Sequence, residues 1–223
     1  MNQNKSEPHW ENIYNLRSPK ELSWFQNEPA MSLKLIKSIS NNQTHIIDVG
    51  AGTSTLVDAL VIDGYSNLAV LDISGTAIEL VKRRLGEQAN KIEWYKNDIR
   101  HFAPVYKYDV WHDRAVFHFL IDEESRKSYV TTLKKTVKKG GHLIIATFAK
   151  DGPKKCSGLD IVQYDSASIA LMLGDGFKLL KTDLEMHLTP KGDKQLFNYF
   201  LFEANSDISS LQEPRELLWG GCK

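Results

Sequence analysis

The chain is poor in the features that would assign it quickly. Only two of its 223 residues are cysteine, Cys156 and Cys222, and they form no CxxC pair, which excludes a disulfide framework and zinc or redox pairs of that type. Net charge is also missing, with 28 Lys and Arg against 28 Asp and Glu, so the electrostatic footprint expected of a nucleic-acid binder is absent. The basic group Lys134, Lys135, Lys138 and Lys139 reads as the wet face of a helix. No apolar run reaches membrane-spanning length. The opening MNQNKSEPHW lacks the apolar core of a signal peptide, and the first 28 residues hold four Glu against one Arg, the wrong balance for a mitochondrial transit peptide. The expectation is a cytoplasmic protein with neither nucleic acid nor membrane as partner.

What is present is an ordinary globular composition, 42% hydrophobic and 25% charged, arranged as alternating strand and helix signals. Strands are expected at THIIDVG (44–50), SNLAVLDIS, KIEWYKND and YKYDVWHD. The first is followed by a helix with Leu56, Val57, Leu60 and Val61 on one face, and the second by one marked by Ile78, Val81 and Leu85. Tyr129, Val130, Leu133 and Val137 predict a further helix stopped by Gly140 and Gly141, before the apolar strand HLIIATFA. A short helix over Ser166 to Leu173 precedes two long strand-like runs, FKLLKTDLEMHL and QLFNYFLFEA, joined by TPKGDK, whose Pro190 and Gly192 are hairpin residues. The fold class is therefore α/β, a Rossmann-like seven-stranded, mostly parallel sheet with an antiparallel last strand and helices on both faces. The stretch FAKDGPKKCSGL is too polar and Gly-rich to form an element of its own.

The segment IIDVGAGTSTLVDAL carries the binding chemistry. Gly50 and Gly52 lie between a strand and a helix, where the backbone turns sharply and brings a ligand to the helix N-terminus. The third glycine of the dinucleotide fingerprint is missing, because Thr55 stands in its place, and a diphosphate would lose its close backbone approach there. Asp72 follows Gly52 by 20 residues at the end of the second strand, where a carboxylate accepts both hydroxyls of a ribose; the alternative is an acid at a helix N-terminus. At the third strand end Asn97, Asp98 and Ile99 offer an acid for an exocyclic amine and an apolar wall for a purine, or Asp98 caps a turn. These tips describe an adenosine pocket with an acidic rim and no phosphate cradle, which S-adenosylmethionine fits.

The fourth strand ends in His112, Asp113 and Arg114, a base, an acid and a cation where ligands of an open α/β sheet bind. Asp113 and His112 suit an amine that must lose a proton, whereas an inward Arg114 favours an anionic acceptor. Asp113 beside Arg114 also reads as a structural ion pair. His118, among Phe117, Phe119 and Leu120, reads as a hydrogen-bonded core histidine. No ligand spacing supports a metal site from His112, Asp113 and His118, and none is expected.

The motifs DVGAGTS, VLDIS, WHDRAVFHFL, ATFAKDGPKKCSGL and TPKGDKQLFNYF resemble those of class I methyltransferases, and in particular the group of the mitochondrial citrate synthase lysine methyltransferase and its bacterial relatives, over about His9 to Glu203. The resemblance implies that S-adenosyl-L-methionine is the methyl donor and that the acceptor is a protein lysine amine, with a small organic acid or thiol as the alternative and a non-catalytic cofactor-binding protein as a third. It implies that Asp48, Gly50 and Gly52 form the methionine-side loop, that Asp72 with Ile73 holds the ribose and Asp98 with Ile99 the adenine, and that His112, Asp113 and Arg114 are catalytic. Ala51 stands where relatives often carry Gly. Residues 1–28 would form an aromatic lid in which Trp10, Tyr14 and Trp24 wall the pocket, residues 29–205 the methyltransferase domain, and 206–223 a tail. Packing of an extra helix on the sheet edge is the plain alternative for the lid. Cys156 reads as a substrate contact or a packed, inert thiol.

Overall fold

The computed structural model describes residues 3–205. In chain order the principal elements are α1 (Gln3–Leu16), α2 (Ala30–Ile39), β1 (Ile46–Val49), α3 (Leu56–Ile62), β2 (Leu68–Asp72), α4 (Gly75–Leu85), β3 (Ile92–Lys96), β4 (Tyr108–Arg114) and α5 (Glu123–Thr136). They continue with β5 (Val137–Phe148), β6 (Lys155–Cys156), β7 (Leu159–Asp160), α6 (Ser166–Leu173), β8 (Phe177–Leu188) and β9 (Lys194–Ala204). Seven strands form one sheet in the order β3-β2-β1-β4-β5-β9-β8. All pairings from β3 to β5 are parallel, and β9 runs antiparallel to both its neighbours. The expected sheet is therefore observed, its antiparallel strand lying next to the edge.

Burial on both faces explains the composition of the central strands. β1 and β2 have every residue buried, as a parallel sheet covered on both sides requires. On one face Tyr129, Leu133 and Ile169 of α5 and α6 pack with Val49, Trp111 and Phe200. On the other, Leu35, Ile36, Leu56, Leu60 and Val81 of α2, α3 and α4 pack with Ile46, Val110 and Ile144. A third cluster joins α1 to α4 through Ile13, Tyr14, Leu22 and Ala77.

Two expectations are corrected. The helix predicted to include Val137 ends at Thr136, and Gly140 and Gly141 lie within β5 rather than stopping a helix. β-branched Val137 instead pairs with Tyr108, and the register shifts before His142 meets Val110. The polar stretch after β5 does contain an element, since β6 and β7 form a two-stranded hairpin with Lys155 opposite Asp160 and Cys156 opposite Leu159; alternation over so few residues leaves no periodic signal. Among the described residues no helix is long and apolar enough to cross a membrane. The expected tail, 206–223, lies outside the described residues.

Candidate active site at the strand tips

Gly50 and Gly52 take φ of +61° and +53°, and a Cβ on either would come within 1.9 Å of Val116 Cγ2 or 2.2 Å of the Tyr14 hydroxyl. Both the backbone conformation and the crowding therefore demand glycine. Thr55, in the place of a third glycine, donates its hydroxyl to the carbonyls of Gln26 and Asn27 at 3.0 and 3.2 Å, so it ties the N-terminal segment to the start of α3. Arg84 holds the same loop from α4 by bonding the carbonyls of Thr53 and Ser54 and the carboxylate of Asp58.

At the tip of β2, Asp72 is 5% exposed and accepts the amides of Gly52 and Ser74 at 2.7 and 2.8 Å. Burial, reinforced by Asp48 and Glu11 and only partly offset by those amides, pushes its pKa up to about 6. Asp98, at the tip of β3, is the N-cap of a short 3₁₀ turn and is gripped by the guanidinium of Arg100. Burial alone would raise its pKa, but Arg100 holds it below the ordinary carboxylate value. The turn-capping alternative for Asp98 is thus observed. Arg100 was not singled out in the sequence, since nothing local marks a charge that folds back two residues.

A cavity opens above these tips, at the strand ends where ligands of an open α/β sheet bind. Its floor comes from Gly50, Asp72, Ile73, Asn97, Asp98, Ile99 and Arg100, and its roof from Trp10, Tyr14, Trp24 and Phe119. The rings interlock edge to face, Trp10 lying 5.8 Å from Trp24 and 5.2 Å from Phe119. Glu11 clips this roof to the sheet: its carboxylate accepts the amides of Gly75 and Thr76 at 2.8 and 3.1 Å and the hydroxyl of Ser74 at 2.8 Å, at the positive end of α4. Burial works against its charge, yet these bonds bring its pKa down to about 2.

A smaller cavity adjoins the first, lined by Asp48, Ala51, Thr53, Ser54, Phe25, Gln26 and His112. Trp24, Gly50 and Arg114 line both. Asp48 accepts the N–H of His112 Nδ1 at 2.7 Å, and His112 Nε2 lies 2.9 Å from the Ser32 hydroxyl. The second carboxylate oxygen of Asp48 is buried and has no hydrogen-bond partner among the described residues.

The polar triplet does not act as one group. Successive side chains of a strand point to opposite faces, so His112 and Arg114 face α2 and the smaller cavity while Asp113 faces α5. Asp113 is fully buried and lines neither cavity. It accepts the amides of Val116 and Phe117 at 2.9 and 3.1 Å and the Tyr129 hydroxyl at 2.6 Å, and burial pushes its pKa up to about 6 against those bonds. The expectation that Asp113 meets the acceptor, and the alternative of an Asp113–Arg114 ion pair, are both corrected by this geometry. His118 is a core residue but not a hydrogen-bonded one: among the described residues neither buried ring nitrogen has a partner, and burial, then Arg114, pushes its pKa down to about 3. Cys156 lines the larger cavity at 4% exposure, its thiol pushed up to about 12 by burial. Of the expected cofactor residues, Gly52 alone lies outside both cavities, behind Tyr14.

This strand order is the Rossmann-like fold of solved methyltransferase structures. Residues 46–141 match the family model described as a methyltransferase domain. Among curated proteins, a malonyl-[acyl-carrier protein] O-methyltransferase 2 of Ilyobacter polytropus is 28% identical over 132 residues, 59% of this chain and 49% of that protein. EEF1A lysine methyltransferase 2 of Danio rerio is 31% identical over 118 residues, 50% of each. The chain thus spans about half the length of the curated relatives it matches. Among solved structures, a SAM-dependent methyltransferase of Anabaena variabilis superposes with a TM-score of 0.69 at 15% identity, covering 89% of this chain and 93% of that one.

Proposed function

We propose that the protein transfers the methyl group of S-adenosylmethionine to a small nucleophile. The observation that carries this reading is the pair of cavities meeting at Trp24, Gly50 and Arg114. Asp72 with Ile73 would receive the ribose, and Ile99 with Asn97 the adenine, while Asp98 contributes mainly by holding Arg100. The free oxygen of Asp48 suits the donor's ammonium group, since a buried unpaired carboxylate oxygen is costly until a cation or donor meets it. Trp24, Gly50 and Arg114, where the two cavities meet, would surround the sulfonium. Residues 1–28 act as the lid that excludes water, and Glu11 is its latch.

In the transfer, a lone pair of the acceptor forms a bond to the methyl carbon as the carbon–sulfur pair returns to sulfur, leaving a neutral thioether. An amine acceptor must also give up a proton, at roughly 1.36 kcal/mol per pKa unit from about 10.4 to neutrality; a thiolate or carboxylate has none to lose. With Asp113 turned into the core, the basic groups lining the smaller cavity are Asp48 and His112, bonded to each other, with His112 also engaged by Ser32. This arrangement supports an acceptor that has no proton to lose, such as an organic acid or a thiolate. The lysine reading keeps support from WHDRAVFHFL and from the name of the zebrafish relative. The paucity of cysteine and the balanced charge support a cytoplasmic setting and an acceptor that is neither nucleic acid nor membrane.

Calorimetry with S-adenosylhomocysteine and NAD tests the donor: the sulfur nucleoside binds and NAD does not, and the reverse result ends the proposal. Labelled donor added to dialysed and undialysed lysate separates the acceptors. Label that requires the small-molecule fraction supports the small acceptor; label retained on protein after dialysis supports lysine.

A further inference from the structure

Arg114 presents a charge balance that the fold leaves incomplete. It is half-buried at the wall between the two cavities, and its partners are all neutral: the Tyr199 hydroxyl at 3.0 Å from Nε, the Trp24 carbonyl at 3.1 Å from Nη1, and the Phe197 ring, 4.5 Å from the guanidinium carbon. Nη2 is shut off from solvent and has no hydrogen-bond partner among the described residues. Among the described residues no carboxylate lies within ion-pair distance of Arg114. Glu185 reaches Arg114 only through the Tyr199 hydroxyl, which donates to it at 3.0 Å, and its other oxygen accepts the Gln26 amide at 3.1 Å. A guanidinium withdrawn from water and lacking a counter-ion is unfavourable unless an anion completes it.

The donor placement proposed above sharpens this, and the inference rests on it. A sulfonium at the junction brings a second positive charge toward Arg114, and a lysine acceptor would bring a third. An anion between the two cations relieves both at once, and as a flat carboxylate it matches the guanidinium fork.

We propose that Arg114 selects a small acceptor carrying a carboxylate, or a nucleophile of equivalent delocalised negative charge, and holds it against the methyl group. The same chemistry could come from the donor's own α-carboxylate, so the test separates the two sources.

The probes are 2-mercaptobenzoate and its neutral methyl ester, titrated calorimetrically into protein saturated with S-adenosylhomocysteine. The acid is expected to bind at least tenfold tighter than the ester, Arg114→Ala to abolish that preference, and Arg114→Lys to retain part of it. Far-UV circular dichroism and the urea midpoint of the same variants report an intact fold. Equal binding of acid and ester by wild type, binding of neither, or a preference that survives Arg114→Ala overturns the proposal. So does a loss of S-adenosylhomocysteine affinity in Arg114→Ala and Arg114→Lys with no loss for 5′-methylthioadenosine, which lacks the carboxylate and would assign Arg114 to the donor. Failure of wild type to bind the sulfur nucleoside at all is a different outcome, which removes the donor reading and this inference with it.

Discussion

Asp72 and Asp113 are the same residue at equivalent ends of two parallel strands, yet they do different work. Both are buried, both accept two backbone amides, and burial raises both to about 6. Asp113 gives its remaining capacity to Tyr129 within the core, whereas Asp72 lines an open cavity. A perturbed pKa therefore marks burial in both and access in only one. The cavity, and not the titration, separates a group that meets ligand from one that shapes the loop around it.

The comparison breaks most directly at Asp113. Asp113→Ala leaves two amides and the Tyr129 hydroxyl without an acceptor, and is expected to cost about 3 kcal/mol of stability, read from urea denaturation. Were it to slow methyl transfer with stability intact, the separation of the two aspartates would fail. Asp72→Ala should do the opposite: S-adenosylhomocysteine affinity falls roughly 100-fold, about 2.7 kcal/mol, while stability drops by only about 1 kcal/mol because cavity water takes over the amides.

A pH series sharpens the contrast. Both folded-state values lie above the ordinary 3.8, so the folded protein holds more protons than the unfolded chain between about 4 and 6. The stability these two groups contribute is fully present below that window and is lost as pH rises through about 6. Urea midpoints should therefore favour pH 5.5 over 7.5 less strongly in both Asp72→Asn and Asp113→Asn than in wild type. Donor affinity should weaken below about pH 6, as Asp72 protonates, by at most about tenfold per unit, and in Asp72→Asn this dependence should vanish. The smallest effect is at the latch. Glu11→Ala removes acceptors from the N-terminus of α4 and should cost about 1 kcal/mol, seen as faster proteolysis within α1 and altered Trp10 and Trp24 fluorescence.

Much of the architecture was legible because periodicity is local. The apolar runs of β1, β5 and β9 and the boundaries of α6 and β8 follow from residues that are neighbours in the chain. The two glycines after β1 were readable for the same reason, since a strand-to-helix turn demands them there. The acids at the tips of β2 and β3 line the cavity, but the Arg100 grip on Asp98 has no local signal in the sequence.

The triplet after Trp111 shows where such reading ends. A strand turns alternate side chains to opposite faces, and that rule alone divides His112 and Arg114 from Asp113. Which face meets a cavity, however, depended on where α1, α2 and α5 came to pack. The sequence by itself determined the sheet and its glycine loop, because those rest on near-neighbour patterns. Only the tertiary structure decided that Asp113 is held in the core, that Glu11 clamps α1 to α4 from 63 to 65 residues away, and that Arg114 has no carboxylate at ion-pair distance among the described residues; each depends on partners distant in the chain.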